Sequence, residues 1–158
     1  MTRINLIDVE LLSDQHLAAE YRELPRIYGD VRALVSKGKK VRDVKFPSSF
    51  VLGKGHMTFF YNKLGFLVKR QQRIIDESIL RGTKIQYTEP MDISDIPVEW
   101  CNDYTPRNDE VRLSNSRLIE RIGEKPSFYK WHKKQRFSNT FEYFQWVCDG
   151  ADFKDLLR

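Results

Sequence analysis

The chain has 158 residues, 41% of them hydrophobic, enough to bury one core as a single domain. Twenty-seven Lys and Arg against 22 Asp and Glu give a formal charge of +5, which favours a polyanionic partner and leaves nucleic acid, membrane surface and acidic protein open. No run approaches the ~20 apolar residues of a bilayer span. Met1-Thr2-Arg3-Ile4-Asn5 lacks a signal-peptide apolar region, and Cys101 and Cys148 are too few for a disulfide framework or a Cys/His metal site. A cytoplasmic protein with no metal, no cofactor and no structural disulfide is expected.

Between Ser13 and Lys37, Leu17, Tyr21, Leu24, Tyr28, Val31 and Val35 recur every three or four positions, the period of one helix face. Ser13 is the expected N-cap and Gly38 the stop, while Pro25, lacking a backbone N–H, is expected to kink the helix. Gly53-Lys54-Gly55-His56 lacks the length and the GK[ST] ending of a phosphate loop and reads as a tight turn, followed by Phe59, Phe60 and Tyr61 as core. A second helix is predicted from Thr58 to Arg81 on Phe60, Leu64, Leu67, Ile74, Ile75 and Ile79, closed by Gly82. Thr83 to Thr105, with Pro90 and Pro97, reads as an irregular connection pinned to the core by Ile93, Ile96 and Trp100. A third helix is expected from Asn108, as cap, to Ile122, and no strand hairpin is evident.

From Lys125 to Phe137 cations alternate with rings, which suits either nucleic-acid contact or core anchoring of the rings beneath a basic rim. Phe141 to Arg158 fits a short amphipathic helix whose apolar side carries Phe141, Phe144, Val147 and Phe153.

Projected at about 100° per residue from Leu17, the apolar set of the first helix stays within roughly 40° of one direction. Arg22, Gln15 and Arg26 fall at roughly 140°, 160° and 180°, and Glu23 and His16 at roughly 240° and 260°. On their own these are a solvated face with a few surface ion pairs. Thr2 brings a nucleophile into view: it is small enough for Met1 to be removed, and a free α-amine has an ordinary pKa near ~7.7–8.0. Arg3, Arg22 and Arg26 would disfavour its protonated form. A threonine at the second position usually carries no such role, and if Met1 stays the nitrogen is an amide that cannot attack.

Met1-Thr2-Arg3-Ile4-Asn5-Leu6, Asp14-Gln15-His16-Leu17, Ala19-Glu20-Tyr21-Arg22-Glu23-Leu24-Pro25-Arg26, Gly55-His56 with Thr58-Phe59-Phe60-Tyr61, Asp92-Ile93-Ser94-Asp95-Ile96-Pro97 and Arg117 resemble the phage-type pyrimidine-dimer DNA glycosylases, the endonuclease V family. The resemblance runs without gaps from Met1 to about Trp131. It implies an all-α, compact domain over residues 1–137, with three main helices, irregular connections and an N-terminal segment threaded between helices so that the Thr2 amine meets Glu23.

The implied chemistry is attack of that amine on the sugar of the 5′ pyrimidine of a cyclobutane dimer, departure of the base, and β-elimination of the 3′ phosphate from the resulting Schiff base. Thr2 and Glu23 are then the catalytic residues. Arg3, Arg22, Arg26, Arg117 and Arg121 are candidate phosphate clamps, with Gln15 and Tyr21 as positioning groups; His16 could orient a water or contact the sugar, against an ordinary capping or surface role. The implied partner is double-stranded DNA containing pyrimidine dimers, with an adenine flipped out opposite the lesion. A monomer in a bacterial cell or virus-infected host is expected.

Arg121 stands where the family pattern has lysine and Phe128 where it has tryptophan, and residues 138–158 form a C-terminal extension beyond the family's usual end, of unknown role. A non-catalytic binder of bent or damaged DNA is the competing reading, and a nuclease for another lesion or for RNA is a third.

Overall fold

Ser13 opens the first helix as its type suggests: extended at φ −61°, ψ 159°, it accepts at Oγ from the backbone N of His16 at 3.0 Å. The computed structural model describes residues 3–148, so Thr2 and Phe153 lie outside the described residues. At the predicted kink the helix is divided at one residue, Leu24, which itself stays helical at φ −54°, ψ −44°. Helix α1 spans Asp14–Glu23 and α2 spans Pro25–Ser36, with the proline at the first position of α2, where an N–H would have no partner anyway. Leu24 N still donates to Glu20 O at 2.9 Å, while Ile27 N turns back to Leu24 O at 3.2 Å. Gly38 ends α2 at φ +75°, with Lys39 N on Leu34 O at 3.0 Å and Gly38 N on Val35 O at 2.9 Å.

The predicted second helix is also divided, into α3, His56–Phe60, and α4, Leu64–Leu80. At the break Lys63 forms an antiparallel bridge with Cys101, and Phe66 N donates to Asn102 O at 3.2 Å. Gly65 permits this approach, because a Cβ there would sit 2.6 Å from Cys101 O. Pairing with a distant segment overrides a continuous apolar period. The chain from Thr83 to Tyr104 remains irregular apart from a 3-10 turn at Val98–Trp100, with Ile96 and Trp100 buried.

Helix α5 spans Asn108–Glu124; its cap is Arg107 rather than the expected Asn108, and Arg107 N donates to Glu110 Oε1 at 3.1 Å. Helix α6 spans Thr140–Cys148, but its apolar side is misread from the sequence. Phe141 and Phe144 are exposed, whereas Tyr143 and Trp146 are buried against Trp131 and Phe137 at ring-centroid distances of 4.9–6.2 Å. Trp131, fully buried itself, needs that cover. The side chain of Val147 lies outside the described set. Among the described residues the fold is all-α, and no helix is long and apolar enough to cross a membrane.

Residues 3–8 have neither helix nor strand, yet Ile4, Leu6 and Ile7 are buried. Their backbone groups have no ladder to join and must be met by side chains. Arg3 N donates to Glu23 Oε2 at 3.3 Å, Ile4 N to His56 Nε2 at 2.9 Å, Asn5 N to Glu20 Oε1 at 3.0 Å and Leu6 N to Ser114 Oγ at 3.0 Å. Ile7 O accepts from Arg70 at 2.9 Å, and Leu12 O from Arg81 at 2.8 Å. The segment is thus threaded among α1, α3, α4 and α5. Arg70 and Glu20 form a buried ion pair that also carries Asn5. Arg70→Ala leaves that carboxylate unpaired, and urea unfolding is expected to show a loss of about 3–5 kcal/mol.

Candidate active site

His16, Ala19, Glu20 and Glu23 follow at helical spacing and form one stripe of α1. Arg117, Leu118 and Arg121 form a matching stripe of α5. The N-terminal segment lays Arg3 and Asn5 between them, and Tyr129 closes one end. Together they line a cleft of about 370 Å³. Glu23, the last residue of α1, sits where the segment begins, accepting from Arg3 N.

The electrostatics are those of an anion site built around a carboxylate. Arg117 is half-buried, and desolvation together with the Arg3 and Arg121 guanidiniums lowers its pKa to about 10. Arg121 has a carboxylate neighbour, Glu124, at 3.5 Å. A phosphate entering the cleft would relieve the crowding of these cations.

His16 stacks on Tyr129 with centroids 4.7 Å apart and planes 10° from parallel. Burial, then the charges of Arg117 and Arg121, lower its pKa to about 4, so it is neutral near pH 7. Ser13 Oγ, which accepts from His16 N, also lies 2.8 Å from His16 Nδ1 and so fixes the ring's orientation. In His56, Nδ1 faces Val51 O at 2.8 Å and Nε2 accepts from Ile4 N, so the Gly55 turn serves the N-terminal segment.

The cleft gathers Arg3, His16, Glu23, Arg117 and Arg121 from the sequence-predicted set. It does not include four others. Gln15 Oε1 accepts from Lys130 N at 3.0 Å, tying down the segment after α5. Tyr21 and Arg22 line a second cavity, of about 440 Å³, with Pro25, Gln71, Gln86 and Tyr87; Tyr87 N donates to the Tyr21 hydroxyl at 2.8 Å. Arg26 is exposed on α2, beyond the break that the continuous-helix projection spans. Thr2 is outside the described residues. Among the described residues no three His, Cys, Asp or Glu side chains group as a metal site.

Glu20, Asn5 and Tyr129 are cleft residues that sequence reasoning leaves out as individual site groups. Glu20 carried a signal: three residues after Leu17 it falls about 60° from the core direction, where a carboxylate needs a buried partner. Asn5 Oδ1 is buried without a hydrogen-bond partner.

The cleft sets the guanidiniums of Arg3, Arg117 and Arg121 beside the Glu20 and Glu23 carboxylates, a lining suited to a polyanionic ligand. A family model described as pyrimidine dimer DNA glycosylase matches residues 1–91, more than half of the chain, and the protein belongs to that family. It is therefore a DNA glycosylase of pyrimidine-dimer repair. The match includes Arg3, His16, Glu23 and His56 and ends before Arg117, Arg121 and Tyr129.

The neutral His16 makes a pH prediction. The unfolded chain takes up a proton at this residue near the ordinary ~6.5, whereas the folded chain resists until about 4. Acid therefore favours the unfolded state: stability from His16 is complete above ~6.5 and declines as pH falls towards about 4. His56, lowered chiefly by burial, acts in the same direction. Imidazole titration by NMR should place His16 near 4, and the pH dependence of the urea midpoint should become shallower in His16→Asn.

Proposed function

We propose that the chain excises the 5′ base of a cyclobutane pyrimidine dimer in double-stranded DNA and then cuts the abasic strand, using the α-amine of Thr2 exposed by loss of Met1. The observation that carries this reading is the contact between Arg3 N and Glu23 Oε2 at 3.3 Å. Arg3 N is the atom that joins Thr2 to the rest of the chain. Bond lengths alone keep the α-amine within about 4 Å of that nitrogen.

The amine lone pair forms an N–C1′ bond as the C1′–base bond breaks, and the base takes up a proton while the cyclobutane ring still joins it to the 3′ pyrimidine. Loss of an amine proton and opening of the sugar ring give the iminium. The negative charge of Glu23 stabilises the oxocarbenium and iminium cations. Its oxygen can also take the C2′ proton, whose electron pair expels the 3′ phosphate, and water hydrolyses the adduct to free the amine. Arg3, Arg117 and Arg121 would hold the flanking phosphates, which fix position without reading sequence. The second cavity, with the Tyr21 and Tyr87 rings and the Gln71 and Gln86 amides, offers space and hydrogen-bonding groups for an extruded adenine.

A binder of bent DNA would share the basic cleft but need neither the amine nor Glu23. On one dimer-containing duplex, borohydride should trap wild-type protein covalently and fail to trap an N-acetylated chain. Glu23→Gln, which keeps size but removes charge and basicity, should bind normally and lose at least ~10²-fold in turnover. Undiminished trapping of the acetylated chain, or undiminished cleavage by Glu23→Gln, would exclude the mechanism. Arg117→Ala should weaken damaged-DNA binding and reduce the slope of log K against log salt by roughly 0.9.

A further inference from the structure

We infer that Asp14 is a positioning residue for the cleft: it holds the turn at His132 and Lys133 against the start of α1 and thereby sets the Tyr129 ring against His16. This rests on the cleft being the DNA-processing site proposed above. His132 and Lys133 occupy the left-handed region at φ +50° and φ +66°, which side-chain-bearing residues disfavour. Such a turn persists only where its surroundings over-determine it.

Trp131 and Lys134 close the turn with a reciprocal pair of backbone bonds at 2.8 and 3.1 Å, and one carboxylate ties it to α1. Asp14 Oδ1 accepts from His132 N at 3.1 Å and Oδ2 from Lys133 N at 2.8 Å, closing the two successive N–H groups around a negative charge. Asp14 N donates to Lys130 O at 2.7 Å, and Arg81 braces the carboxylate from behind at 2.9 Å. Tyr129 precedes Lys130 directly, so a change in the turn is passed to the ring that stacks on His16. A carboxylate placed only for the α1 dipole would need no second and third partner.

Asp14→Asn can accept on one oxygen and sets an NH2 group against one of the two backbone donors. Its expected effect on dimer-containing duplex is a KM raised about tenfold with kcat changed by less than about threefold. In the free protein the His16 imidazole proton signals, shifted by the Tyr129 ring current, should move towards their unstacked positions. Adding Lys133→Gly removes the backbone penalty and should return both KM and the His16 signals towards wild type.

An Asp14 that serves only Arg81 or the helix dipole predicts a lower Tm in Asp14→Asn with KM and His16 signals unchanged, and no benefit from Lys133→Gly. That result overturns the inference. Displaced His16 signals with an unchanged KM also overturn it, since the ring would then not serve the substrate. The signals report on the free protein, so they are independent of whether Glu23→Gln supports the catalytic reading.

Discussion

An extended peptide buried among helices has no neighbouring strand, and each of its amides must find a side chain or remain unpaired at a cost of about 1–3 kcal/mol. In this protein Glu23, His56, Glu20 and Ser114 meet four consecutive N–H groups, from Arg3 to Leu6. The partners come from α1, α3 and α5, so the same bonds that satisfy the segment also fix the three helices around it. Glu20 carries the most: it takes both the backbone and side-chain N–H of Asn5 while paired with Arg70 of α4. Register follows from this arrangement. A shift of one residue would present the wrong amide to every acceptor, and Arg3 would no longer meet Glu23.

The cleft draws its character from what surrounds that segment. Arg117 is a cation held where solvation is poor and like charges are near, and His16 stays neutral there although it is an imidazole. Glu23 lines the same space from α1, and Glu20 is occupied by its buried pairing with Arg70. Poorly solvated cations and the Glu23 carboxylate are thus held in one fixed space.

Much of this was readable from local chemistry. Ser13, Gly38 and Gly82 mark helix ends by what their own atoms can do, and Pro25 marks a break by the hydrogen it lacks. The interruption before Leu64 was not readable, because its cause is Cys101, distant in sequence. The apolar side of α6 was misassigned for the same kind of reason: which rings turn inward depends on Trp131, not on the helix's own pattern. Of the site, α1 supplied His16 and Glu23 by periodicity. The route of residues 3–8 came only from family resemblance, since hydropathy cannot say that an extended segment will lie between helices.

The hydrogen bond between Leu6 N and Ser114 Oγ spans 108 residues, and that between Trp131 Nε1 and Leu11 O spans 120. During synthesis Leu6 and Leu11 therefore leave the ribosome long before these two partners exist. At about 5–20 residues per second the delay is on the order of ten seconds. For that interval Leu6 N lacks its acceptor on α5 and Leu11 O its indole donor. The long sequence separation that slows folding thus leaves the buried run from Arg3 to Leu12 without its full set of partners until the C-terminal third of the chain has been made.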